Sequence, residues 1–103
     1  MKDFRNFQNV RVILEDGTIA NGDYILEGVT IRCKQGYLND NVDESGTPQP
    51  AIETHDGGHT EHWKNGFLHC EEEPAIIDVY DKYEAWFFEG NEIPPKSSSS
   101  IGM

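Results

Sequence analysis

The sequence predicts an all-β protein: an antiparallel meander of about three β-hairpin repeats, closed by a short low-complexity tail. Three observations carry this expectation. No stretch of eleven or more residues sustains the i, i+3, i+4 apolar spacing of an amphipathic helix, and glycines interrupt every candidate. Short runs of branched and aromatic residues recur about every ten positions, separated by Gly, Asn and Asp. The later part of the chain also repeats itself.

Taken in order, Val10–Leu14 (VRVIL) reads as the first strand, stopped by the turn signal Glu15-Asp16-Gly17. Tyr24–Leu26 and Val29–Arg32 form a second pair about Glu27-Gly28. Asn39–Gln49 is polar, acidic and interrupted by Gly and Pro, which predicts a mobile loop. Ala51–Thr54, Thr60–Lys64, Ala75–Tyr80 and Tyr83–Phe88 complete the set of strands. Residues 1–93 make one domain, and Pro94–Met103 (PPKSSSSIGM) a disordered tail that lacks core-forming side chains.

Shifting the chain by 24 residues lays Pro50-Ala51-Ile52 on Pro74-Ala75-Ile76, Trp63 on Phe87 and Gly66 on Gly90. Shifting by 30 lays Cys33–Asn39 (CKQGYLN) on Trp63–His69 (WKNGFLH). Gly36, Gly66 and Gly90 therefore mark equivalent turns, and a third, degenerate unit lies within Val10–Gly36. One hairpin is marginal alone, whereas several stacked into a sheet can bury an aromatic face. Pro50 and Pro74 carry no amide donor and suit strand starts.

The stretch HWKNGFLHCEEEPAII (His62–Ile77) resembles the W-x-x-N-G-x-L-H-x-E-x-x-P-A-I repeat found in bacterial and phage proteins, which looks like a relative of the MORN repeats. The resemblance covers roughly Cys33 to Ile93 and is specific at Trp63, Asn65, Gly66, Leu68, His69, Glu71, Pro74, Ala75 and Ile76. It departs at Cys70, where a basic residue is expected, and at Cys33, Gln35 and Asn39. It implies a non-catalytic β-hairpin scaffold for interactions and names no ligand.

Charge is the second theme. Nineteen acidic against eight basic residues give a net charge of -11. From Met1 to Gly36 the two signs balance, while Tyr37 to Glu92 holds fourteen acids and only Lys64 and Lys82. Such a field repels nucleic acid and anionic membranes and favours either a basic partner or plain solubility, a solvated face that keeps a repeat protein in solution. No apolar run is long enough to span a membrane, and MKDFRNFQNV has no apolar signal core, so the expected location is the cytoplasm, that of a host cell if the protein is phage-encoded. Cys33 and Cys70 allow a disulfide, though without a CxxC spacing they read more readily as reduced thiols. Hydrophobic residues make up only 36% of the chain, so the core is small, and the 11% of aromatics must fill it.

Reactive-looking groups have plainer readings. His55, His59, His62, His69 and Cys70 fall within sixteen residues, but their spacing matches no tetrahedral metal signature. They read as exposed or turn-bonding side chains, with His69 capping a turn and no metal bound. Cys70 beside His69 is a poor nucleophile pair, because neighbours in a strand face opposite ways and three glutamates follow. Glu71-Glu72-Glu73 reads as a solvated turn, and no nucleotide motif is present. Trp86 and Phe87 point to opposite faces, so one side of YEAWFF is a candidate partner surface.

The functional expectation is a protein-binding module without catalytic residues, cofactor or metal. Its candidate partner-binding residues are Glu53, Asp56, Glu61, Glu71, Glu72, Glu73, Asp78, Asp81, Glu84 and Glu89, with Trp86 and Phe87. The expected partner is a protein with a basic surface, such as a nucleic-acid-handling host nuclease that a phosphate-mimicking inhibitor would block. The alternative is a MORN-like scaffold or antitoxin-like partner that docks through its aromatic face. No direct contact with nucleic acid or membrane is expected, and the oligomeric state stays open, a dimer being one option.

Overall fold

The structure is a computed structural model that describes residues 8–95. Of the predicted tail only Pro94 and Pro95 are described; the remainder lies outside the described residues, as do residues 1–7 of the predicted domain.

Every described element is a strand. Residues Gly22–Leu26 (β1), Val29–Lys34 (β2) and Tyr37–Leu38 (β3) are followed by the small hairpin Asn41–Val42 (β4) and Pro48–Gln49 (β5). Next come Ile52–Thr54 (β6), His59–Glu61 (β7), Trp63–Lys64 (β8) and Phe67–Leu68 (β9). Ile76–Asp78 (β10), Tyr83–Phe88 (β11) and Asn91–Ile93 (β12) complete the chain. The main sheet runs β1-β2-β6-β7-β10-β11-β12, antiparallel throughout, with β3 beside β2. The predicted antiparallel meander is therefore present.

The repeat has a conformational basis. Gln35-Gly36, Asn65-Gly66 and Glu89-Gly90 all place both residues at positive φ, near +50° and then +90°. That is a two-residue turn of the type whose twist matches the flanking strands. The turns stack: Gly36, Gly66 and Gly90 donate their N–H to the carbonyls of Ala20, Leu38 and Leu68 at 2.7, 2.9 and 2.8 Å. A side-chain acceptor holds the first residue of each turn. Asn21 Oδ1 accepts from Gln35 N–H, Asn39 Oδ1 from Asn65 N–H and His69 Nδ1 from Glu89 N–H, at 2.8, 2.9 and 2.9 Å. His69 is thus the turn cap that the sequence predicts. Only glycine fits these second positions. A Cβ on Gly66 would lie 2.8 Å from the Tyr37 ring, and one on Gly90 would lie 2.9 Å from that of Phe67.

One strand prediction fails in an informative way. The segment Val10–Leu14 makes no ladder and keeps only an isolated bridge from Ile13 to Ile19. The chain here crosses the stacked turns as a strap. Val12 N–H bonds Gly36 O (2.6 Å), Asn9 N–H bonds Gly66 O (2.7 Å) and Gln8 Nε2 bonds Gly90 O (3.1 Å). Gln8 Oε1 also accepts from Leu68 N–H at 2.7 Å. Amides directed at turn carbonyls cannot also feed a strand partner.

Two further expectations need correction. Thr60–Lys64 is broken at His62, because Trp63 N–H leaves the ladder to donate to Asp40 Oδ1 at 2.9 Å. The Asn39–Gln49 loop is a structured hairpin. Asp43 Oδ1 accepts from the N–H groups of Ser45 and Thr47, both at 2.9 Å, and from Ser45 Oγ at 2.7 Å.

The core is small, as the composition requires: Ala51, Trp63, Leu68, Ala75, Ile76, Ala85 and Phe87, with Leu38, Cys70 and Tyr83 packed against it. Alanines at 51, 75 and 85 leave room for the Trp63 and Phe87 rings. Burying so little apolar surface leaves each large side chain with a large share of the total stability.

Candidate interaction surface and its buried histidine network

The predicted partner residues do not form one acidic face, because four of them are buried. Glu61 and Asp78 are 3% and 7% exposed, and Trp86 and Phe87 are 7% and 3% exposed. The expectation that one side of YEAWFF stays open fails at both rings. Phe87 enters the core, Trp86 lies in register with Ile93 of β12, and Phe88 is the aromatic left outside at 43%.

Glu61 is inward for reasons of register. It sits between Ile52 of β6 and Ile76 of β10 on the core-facing side of the sheet. A carboxylate there is tolerable only when every oxygen is bonded. Its Oε1 accepts from Trp63 Nε1 at 2.9 Å and its Oε2 from His59 Nε2 at 2.6 Å. His59 Nδ1 donates to Asp78 Oδ2 at 3.0 Å, and Asp78 Oδ1 accepts from Asp81 N–H at 3.0 Å. Held between two carboxylates, His59 is a charged imidazolium with both N–H groups donating. Its pKa is raised, chiefly by the hydrogen bond to Glu61, against a desolvation penalty and with further help from Asp78.

A second buried pair lies nearby. His62, 3% exposed, points Nδ1 at Asp40 Oδ2 (2.6 Å) and Nε2 at Glu73 Oε1 (3.7 Å). Burial works against its charge, but the hydrogen bond and charge of Asp40, then those of Glu73, outweigh it, and the pKa is raised. Reading the histidines as exposed or turn-bonding groups therefore fails for His59 and His62, which hold buried ion pairs. His69 fits that reading, and exposed His55 bonds Thr30 Oγ1 at 2.9 Å. Nothing in the sequence marks Asp40. Its place in a polar loop gives no hint that it bonds His62, Trp63 and Ala51 at once.

Other carboxylates are occupied in turns or in local pairs. Asp56 Oδ1 accepts from Gly58 N–H at 2.9 Å and Thr54 Oγ1 at 2.8 Å, and its other oxygen takes the Tyr80 hydroxyl. The Gly58 and Thr54 bonds hold its pKa below the usual carboxylate range. Glu53 is half-buried and bonds Arg32 at 2.6 Å, opposite Asp23 at 3.2 Å. Besides the turn-bound Asp56, the predicted acids exposed on the surface are Glu71, Glu72, Glu73, Asp81, Glu84 and Glu89. Glu71 and Glu89 flank His69, whose ring lies 4.8 Å from that of exposed Phe88. Lys64 approaches Glu89 at 4.0 Å. Beside this edge, an open shallow groove is lined by Lys64, Asn65, Phe67 and Glu89.

Cys33 and Cys70 are both free thiols, and burial pushes both pKa values up. Cys70 is the positional equivalent of Asp40 under the shift of 30 and packs against the core. Among the described residues, no three His, Cys, Asp or Glu side chains are grouped to hold a metal ion. No helix there is long and apolar enough to cross a membrane. No protein-family profile, curated protein or solved structure matches the chain.

Proposed function

We propose that the protein is a non-catalytic module that binds a basic protein surface through the carboxylate edge Glu71, Glu72, Glu73 and Glu89, with Glu84 and Asp81 extending it. The observation that supports this reading is the selective exposure of these acids. Glu61, Asp78, Asp40 and Asp56 are tied into the fold, whereas Glu73 and Glu89 approach their cations only at 3.7 Å from His62 and 4.0 Å from Lys64. An incoming arginine or lysine can replace such contacts at little cost. The partner class that suits a row of carboxylates is a protein whose basic groove otherwise holds nucleic-acid phosphates, and blocking that groove would make this chain an inhibitor of a nuclease or a related host enzyme.

The test is a panel of nucleases with basic substrate grooves, assayed for inhibition by the protein across a range of salt. Inhibition that weakens steeply with salt and is lost in E71Q/E72Q/E73Q supports the reading. Retention of full inhibition by that triple variant would sink it. The alternative, docking through aromatic side chains, moves from the buried Trp86 and Phe87 to Phe67 and Phe88, which are 37% and 43% exposed. It predicts binding that is insensitive to salt and lost in F67A/F88A.

A further inference from the structure

The two edges of the main sheet are built differently. β12 is three residues long, carries Glu92 and runs into Pro94-Pro95, which have no amide hydrogen to offer. Those are the usual means by which a sheet edge is kept from pairing with another chain. β1 has neither the shortness nor the proline. It is five residues long, and its charged residue, Asp23, is bonded to Arg32 of its own sheet at 3.2 Å. Ile25 is 76% exposed and Leu26 50%.

We infer that the outer edge of β1 is a pairing surface for a second copy of this chain, joined antiparallel about a two-fold axis at Tyr24 to give one continuous sheet. The backbone supports this register. Leu26 and Val29 close the two-residue turn, so Gly22, Tyr24 and Leu26 bond inward to β2. Asp23 and Ile25 then direct their N–H and C=O groups outward, and among the described residues no backbone bond reaches them. Centring the axis on Tyr24 sets Asp23 of one copy opposite Ile25 of the other, and the reverse, so all four outward pairs of groups are matched.

Charge selects a copy of the same chain. For a protein of net charge -11 most self-contact is repulsive, yet Met1–Gly36 holds equal numbers of acids and bases. β1 lies in that balanced part, and so do Val10, Ile13 and Ile19, each about half exposed. Within residues 8–36 four acids are offset by three bases. Exposed apolar surface and low net charge thus coincide in the part that carries β1, and joining there holds the more acidic parts of the two copies apart.

Sedimentation of the full chain tests the inference, together with amide hydrogen exchange. The wild type is expected to form a concentration-dependent dimer, with exchange at Asp23 and Ile25 slowing as dimer accumulates. I25K, which leaves the β1–β2 bonds in place, and I25P, which removes only an outward N–H, are expected to be monomeric with unchanged circular dichroism and melting. A wild type that stays monomeric at high concentration, or an I25K protein that dimerises equally, overturns the inference. So does protection of Asp23 and Ile25 at every concentration in a monomer, since the chain itself would then cover the edge. E71Q/E72Q/E73Q is expected to dimerise normally, which separates this surface from the acidic edge.

Discussion

Ile31 and Glu61 occupy equivalent positions in two hairpins thirty residues apart, and both pair across the sheet with Ile52. In the first unit the position carries a half-buried aliphatic side chain with no polar demands. In the second it carries a carboxylate, and four further groups, His59, Trp63, Asp78 and the Asp81 amide, are arranged to satisfy it and one another. The same backbone frame thus accepts either a dry contact or a polar network, provided that the network is complete. No buried side-chain nitrogen or oxygen among the described residues lacks a hydrogen-bond partner.

The sharpest way to break the comparison is to remove one member of the network. E61A leaves the Trp63 N–H without its acceptor and the His59 charge with Asp78 as its one remaining carboxylate of the two, and is expected to cost about 4 kcal/mol in urea unfolding. The equivalent I31A removes only aliphatic contact and should cost about 2 kcal/mol. Equal losses for the two would show that Glu61 acts as filler alone. Conversion of the network's three charged members to apolar residues (H59V/E61I/D78V) should recover only part of the E61A loss, because it removes the buried charges but still leaves the Trp63 Nε1–H and the Asp81 amide without their acceptors.

The histidines give the comparison a pH signature. Both His59 and His62 have folded pKa values raised above 6.5. Their stabilisation is fully present below the unfolded value near 6.5 and is lost as pH rises through the raised folded values. Chemical unfolding followed from pH 6 to pH 9 is expected to show falling stability over that window, and H59Q/H62Q should flatten the slope. A wild-type curve already flat there would remove the charged-histidine account. At smaller scale, N21A, N39A and H69A delete the three turn caps and should each cost about 1 kcal/mol, similar in every unit if the units are equivalent. Smallest of all is R11A, which removes a guanidinium 5.4 Å from the centre of the Tyr37 ring and should cost about 0.5 kcal/mol.

What could be read from the sequence follows from the range over which each signal acts. The turns Asn65-Gly66 and Glu27-Gly28 were legible because positive φ is a local demand that glycine meets. The strand YEAWFF was legible because its bounds are set by flanking turn residues, and the observed β11 has the same bounds. Burial of Glu61 and Asp78 was not legible. Glu61 lies between the polar Thr60 and His62, Asp78 is a lone charge in the apolar run Ile76–Tyr80, and the partners of both are set by register across three strands. Alternation was a poor guide at Trp86 and Phe87, since both faces of β11 are covered at that point. The acidic composition misled in a similar way, because carboxylates such as Asp43 and Asp56 organise turns and do not lie free on a surface.

The strap formed by residues 8–12 gives this array a property that stacked repeats usually lack. In a simple stack each unit touches only its neighbours, so the ends can fray independently. Here Gln8 bonds Gly90 across a sequence separation of 82, and Asn9 and Val12 reach the two turns between. The strap therefore finds its last partner only when the final hairpin has been made. Closure comes late and is non-local, which slows folding but makes loss of the last unit felt at the first. A linear series of hairpins becomes, through residues 8–12, a single cooperative unit.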